Sequence, residues 1–126
     1  MADALKIMVI DDEPIVGKRL KQALEKYGYE VESFTTGSDA LKRFDEIKFD
    51  IVVTDVRMDE IDGIEVLNKV LEIAGDTRVI IITGYATIEM AREALAKGAY
   101  DFIAKPFKIN ELRDVIEKAA SEIKKS

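Results

Sequence analysis

The chain has 126 residues, 48% of them hydrophobic and 35% charged, which suits one globular domain built around one core. It contains no Cys and no His, so disulfides, thiolate nucleophiles, zinc-finger sites, a Ser-His-Asp triad and an imidazole base are excluded. Its 19 Lys and Arg against 25 Asp and Glu give a formal charge of −6, which disfavours nonspecific attraction to nucleic acid or anionic membrane.

In chain order, Leu5–Ile10 is an apolar run whose stretch Ile7-Met8-Val9-Ile10, like Ile51-Val52-Val53 and Val79-Ile80-Ile81-Ile82 further on, is nearly unbroken and β-branched, the pattern of a strand buried on both faces of a parallel sheet. Pro14 then suits a first helical turn; Val16, Leu20, Ala23, Leu24 and Tyr27 form one apolar stripe, and Gly28 suits a C-terminal cap. Glu30–Phe34 alternates polar and apolar and predicts an edge strand, and Ala40, Leu41 and Phe44 mark a second helix. Ile51–Thr54 predicts a buried third strand, followed by a helix with Ile64, Leu67, Val70 and Leu71 on its apolar face. Arg78–Thr83 is a fourth strand, and Ile88, Ala91 and Leu95, closed by Gly98, mark a fourth helix. Tyr100–Ala104 is the fifth strand; the last helix runs from an Asn110 cap through Leu112, Val115, Ile116, Ala119 and Ile123.

Strict alternation of strand and helix predicts parallel strands with right-handed crossovers, hence an α/β fold: one doubly wound sheet of five strands with five helices on two faces. No repeat, linker or low-complexity stretch interrupts it, so residues 1–126 are expected to form one domain. In such sheets ligands bind at the carboxyl ends of the strands, where the strand order reverses. Those ends read Asp11-Asp12-Glu13, Thr35-Thr36-Gly37, Asp55, Thr83-Gly84 and Lys105-Pro106.

Each of these residues has a plain structural reading. Asp11 and Asp12 could cap the helix that Pro14 opens, Asp55 could be a turn residue, Thr83 could finish the sheet, and Lys105 could be a solvated lysine. Together they suggest more. If the first and third strands are neighbours, three carboxylates meet in one crevice, where ionised pairs about 4 Å apart repel by roughly 4 kcal/mol at an effective dielectric near 20. Such a cluster protonates, splays apart or recruits a cation, and all-oxygen ligands favour Mg²⁺ or Mn²⁺. An ammonium and a hydroxyl beside it supply what phosphoryl transfer requires, since that reaction depends on positioning and charge neutralisation, and a carboxylate can itself accept the phosphoryl group.

Taken in order, Asp11-Asp12, Asp55, Thr83-Gly84 and Lys105-Pro106-Phe107 resemble the receiver domain of bacterial two-component response regulators over about residues 5–124. The resemblance implies the flavodoxin-like strand order 2-1-3-4-5. It also implies that Asp55 accepts a phosphoryl group from a phosphohistidine of a sensor histidine kinase or phosphotransfer protein. Asp11, Asp12 or both, with Asp55 and the backbone carbonyl of Arg57, would hold Mg²⁺; Lys105 and Thr83 would contact the phosphoryl oxygens. Phe102 stands at the family's switch aromatic, although a core aromatic is the equal reading. The surface from Ala86 to Ile123 would carry the signal to an output domain, a downstream protein or a second copy in a phosphorylation-dependent homodimer.

The loop Met58-Asp59-Glu60-Ile61-Asp62-Gly63 departs from the family's Met-Pro-x-Met-Asp-Gly by an Asp for Pro, and Arg57 and Tyr85 match variable positions that influence phosphate loss. Gly98–Phe107 is particularly similar to receivers of enhancer-binding transcription activators, and the chain is expected to be either a single-domain regulator or the receiver of a larger protein. The start Met1-Ala2-Asp3-Ala4 has no signal-peptide character, and no apolar run approaches the roughly 20 residues of a membrane helix, so a cytoplasmic setting without membrane or nucleic-acid contact is expected. Two other classes fit the architecture. In an aspartyl-phosphate phosphohydrolase the second residue after the nucleophile is an acid, where this chain has Arg57; a flavin or nucleotide binder needs a Gly- and hydroxyl-rich first turn, which here is acidic.

Overall fold

Five strands alternate with five helices: β1 (Lys6–Ile10), α1 (Pro14–Glu25), β2 (Glu30–Phe34), α2 (Gly37–Glu46), β3 (Ile51–Asp55), α3 (Gly63–Ile73), β4 (Arg78–Thr83), α4 (Ile88–Ala96), β5 (Asp101–Ala104) and α5 (Ile109–Lys125). The structure is a computed structural model that describes residues 4–56, 62–84 and 88–125. All strand pairs are parallel, and the sheet order is β2-β1-β3-β4-β5.

The β-branched runs at 7–10, 51–53 and 79–82 become the three central strands β1, β3 and β4, because only there is a strand covered on both sides. Met8, Ile10, Val52, Val79 and Ile81 point to one face and pack with Ala40 and Phe44 of α2, Val66, Leu67 and Val70 of α3 and Ala94 of α4. Ile7, Val9, Ile51, Val53, Ile80 and Ile82 point to the other, against Leu20 and Leu24 of α1 and Leu112, Ile116 and Ala119 of α5. β2 is an edge strand, as its alternation predicts, and the Lys21 ammonium caps its Val31 carbonyl at 2.9 Å, which blunts the edge.

The expected boundaries shift in a few places. β1 and β5 each start one residue later than the apolar runs, and β3 extends to include Asp55. α1 ends at Glu25, so Tyr27 lies past it, exposed beneath the Arg113 guanidinium, whose centre is 5.5 Å from its ring centroid. Asn110 is not a cap: α5 already begins at Ile109, and the Glu111 carboxylate accepts the Lys108 N–H at 3.3 Å, the reciprocal half of a capping box. In α4 the residues facing the core are Met90 and Ala94, whereas Leu95 is 47% exposed and Ala91 only half-buried. The side chain of Ile88 is outside the described residues. Among the described residues no helix is long and apolar enough to cross a membrane.

Candidate functional site

β1 and β3 are neighbours, paired through Ile10 and Thr54. Asp11 and Asp55 each stand one step beyond that pair, so the topology alone brings them to the same rim. The Asp11 N–H donates to the Phe34 carbonyl at 3.0 Å, which holds the residue in the ladder, and its side chain is fully buried. One carboxylate oxygen accepts the Glu13 N–H at 2.9 Å and the other accepts the Lys105 ammonium at 2.9 Å. Helix entry and site are therefore served by the same side chain. Glu13, the residue before α1, makes no side-chain cap of its own.

Asp55 is buried at the end of β3, opposite Ile82 of β4. Its Oδ2 accepts the Lys105 Nζ at 2.8 Å. Asp12 is exposed, yet its carboxylate joins those of Asp11 and Asp55 with one oxygen from each within 4.8 Å of the others. Thr83 ends β4 one residue past Asp55's partner and is fully buried; its carbonyl accepts the Lys105 N–H at 2.9 Å. Lys105 follows β5, reaches past β4, and bridges Asp55 and Asp11; its bond to Pro106 is cis. Phe102 is half-buried on edge strand β5, opposite Ile81, and packs against the cluster formed with α2, α3 and α4.

Burial disfavours the charge on Lys105. Its hydrogen bonds to Asp55 and Asp11, reinforced by their negative charges, outweigh that effect, so its pKa lies above the usual lysine value. Three carboxylates and one ammonium carry a formal charge of −2, which one divalent cation balances. Hard oxygen donors brought this close suit Mg²⁺, which binds through a few carboxylates and keeps several waters, and the exposed Asp12 leaves a way in for a hydrated ion. The acids thus fit the metal that the sequence pattern implies.

Two further residues touch this rim: Thr54, which carries no obvious sequence signal, and Gly63, which the sequence shows only as the last residue of the family's loop pattern. The buried Thr54 hydroxyl donates to the Asp55 carbonyl at 3.0 Å, although Thr in a strand ordinarily reads as a β-former. Gly63, the first residue of α3, donates its N–H to the Val56 carbonyl at 2.8 Å, and a Cβ there would stand 2.3 Å from the Asp55 carbonyl oxygen. The preceding Asp62 caps α3 by accepting the Glu65 N–H at 2.9 Å. Arg57, Met58, Asp59, Glu60, Ile61, Tyr85 and Ala86 lie outside the described residues.

Fold and rim together define a class: a doubly wound parallel α/β domain with an acidic, lysine-bridged pocket at the strands' carboxyl ends. Residues 7–117 match the response regulator receiver domain family, and the chain belongs to that family of two-component signalling domains. It is 39% identical to the regulatory protein AtoC of Escherichia coli over 90% of this chain and 25% of that one, and 38% identical to the C4-dicarboxylate transport transcriptional regulatory protein DctD of Rhizobium meliloti over 89% and 24%. The chain thus spans about a quarter of the length of these curated relatives. It is also 34% identical to the chemotaxis protein CheY of Listeria monocytogenes over 92% of this chain and 98% of that one. Among solved structures, a receiver domain from Clostridium thermocellum superposes with a TM-score of 0.89 at 32% identity, covering 95% of this chain and 97% of that one. The beryllofluoride-activated NtrC4 receiver domain dimer gives 0.88 at 34%, covering 93% and 97%.

Proposed function

We propose that residues 1–126 form one receiver domain that accepts a phosphoryl group on Asp55 from a phosphohistidine of a sensor histidine kinase or phosphotransfer protein, and that the modification switches its surface. The observation that carries this reading is the meeting of Asp11, Asp12 and Asp55 with Lys105 in one pocket, in a chain of this family. In the transfer, an Asp55 carboxylate oxygen forms a bond to phosphorus as the phosphorus–nitrogen bond breaks, and the electron pair leaves with the donor imidazole. The chain has no His, so the donor is a separate group.

Asp11, Asp12 and Asp55, with the Arg57 carbonyl, would hold Mg²⁺, with Mn²⁺ the alternative. Bound there, the metal neutralises charge on the transferred oxygens. Lys105 already stands 2.8 Å from the acceptor carboxylate and needs little movement to pair with a phosphoryl oxygen. Thr83, in register beside the site, supplies a hydroxyl to the same group. Drawing Thr83 toward the phosphate frees space beside β5, and the half-buried Phe102 turns inward. The α4, β5 and α5 face then changes, and the exposed Leu95 gives it an apolar contact for an output domain, a downstream protein or a second copy. The protein acts as a cytoplasmic switch rather than a turnover enzyme, and Arg57 stands where phosphohydrolases carry a general acid.

Incubation with acetyl phosphate and Mg²⁺, followed by mass-spectrometric site mapping, tests this. The wild type is expected to be labelled at Asp55 and Asp55→Asn not at all. Undiminished labelling of Asp55→Asn would remove Asp55 from its role.

A further inference from the structure

We infer that Thr54 and Gly63 are positioning residues that together fix the carbonyl group of Asp55, and with it the course of the chain into the β3–α3 connection. This deepens the proposed reading of Asp55 and rests on it.

The peptide that leaves Asp55 has two constraints on its oxygen. From β3, the Thr54 hydroxyl donates to it at 3.0 Å inside the core, where Thr54 has no exposed surface. From α3, the backbone of Gly63 comes so close that a methyl group would sit 2.3 Å from the same oxygen and 2.9 Å from the Val56 Cα. These are backbone atoms, so they cannot turn aside as a flexible side chain would. The Gly63 N–H donates to the Val56 carbonyl at 2.8 Å, closing the connection across its base. Asp62, capping the start of α3 through Glu65, anchors that helix end.

The consequence is mechanical. A peptide plane carries its carbonyl and the next N–H together, so fixing the Asp55 oxygen fixes the direction in which the chain leaves Asp55 at Val56. Arg57 is the residue whose carbonyl the proposed metal site uses. A buried hydroxyl that orients a ligand from behind commonly matters about tenfold or more to metal affinity, although it never touches the ion. The absence of a side chain at position 63 is thus explained by proximity. Its φ does not fall in the left-handed region that favours glycine, since the positive-φ glycines are Gly28 and Gly98.

Thr54→Val keeps the β-branched shape and removes only the hydroxyl; Thr54→Ser restores it; Gly63→Ala inserts the methyl. Three measurements are made on each folded variant: amide hydrogen exchange at Gly63, Mg²⁺ affinity by calorimetry, and the acetyl-phosphate labelling rate at saturating Mg²⁺. For Thr54→Val we expect faster Gly63 exchange and Mg²⁺ binding weakened about tenfold. Thr54→Ser should return both toward wild type. Gly63→Ala should lose more, and if it does not fold, Thr54→Val still decides. Wild-type exchange and Mg²⁺ affinity in Thr54→Val would overturn the inference. A wild type that is never labelled would instead sink the phosphoacceptor reading, while the exchange comparison would still decide whether Thr54 holds the connection.

Discussion

Lys105 shows how much one side chain carries at this rim. Its side chain is 22% exposed, and its ammonium forms salt bridges with the fully buried Asp11 and with Asp55. Lys105→Met leaves both acids without that counter-ion. A fully buried pair broken this way loses about 3–5 kcal/mol; with the ammonium partly hydrated, about 1–3 kcal/mol is expected, read by urea unfolding in metal-free buffer. Because the folded state raises the lysine pKa, the stabilisation is complete below the ordinary lysine value of 10.5 and is lost as pH rises through the raised one. Wild-type stability should therefore fall on alkaline titration by a component that Lys105→Met lacks; identical slopes would contradict the pairing. The same variant should still bind Mg²⁺ but respond poorly to phosphodonor. The sequence exposed Asp11, Asp55 and Lys105 as strand-end residues, since alternation locates strand ends. It did not reveal that Asp11 also holds the Glu13 N–H, nor that Thr54 and Gly63 share one carbonyl, because hydrogen bonds and close approach depend on three-dimensional placement that residue type does not encode.

At the scale of elements, the strands were the most legible part. Ile7-Met8-Val9-Ile10, Ile51-Val52-Val53 and Val79-Ile80-Ile81-Ile82 are apolar on both faces, and only central parallel strands bury both. Helix stripes were legible where helices are long and less so in α4, where nine residues give few turns to set the phase, and Ala94 rather than Leu95 faces the core. Helix exits depend on glycine for two different reasons. Gly28 has φ +90° with open space around it, whereas Gly98 has φ +107° and a Cβ there would come within 2.7 Å of Leu71 Cδ1 at the far end of α3. Gly28→Ala should cost about 1 kcal/mol from backbone strain alone. Gly98→Ala should cost more, about 1–3 kcal/mol, because Leu71 must also turn away. Urea unfolding midpoints of the two variants measure the difference; a Gly28→Ala loss equal to or larger than that of Gly98→Ala would refute the packing contribution.

Across the whole molecule, the site acts as a clasp between distant parts of the chain. Asp11 and Asp12 follow β1, Asp55 ends β3 and Lys105 follows β5, so their assembly exists only when the sheet is complete. An ion that needs all three carboxylates has little affinity for the unfolded chain, and its binding energy adds to folding. At a free Mg²⁺ concentration a hundredfold above its dissociation constant, that linkage is worth about 2.7 kcal/mol. For a chain of this length each kcal/mol moves the melting temperature by about 4 °C, which gives a rise of about 10 °C. Asp12→Asn is the sharper control, because Asp12 is exposed and its loss leaves the Lys105 bridge intact. That variant should melt near wild type without metal and gain much less from Mg²⁺, and Lys105→Met should gain more, since Mg²⁺ would then relieve the two acids left unbridged. Calorimetric melts with and without Mg²⁺ decide it: an unchanged wild-type melting temperature, or the same rise in Asp12→Asn, would mean that the three acids do not act as one metal site.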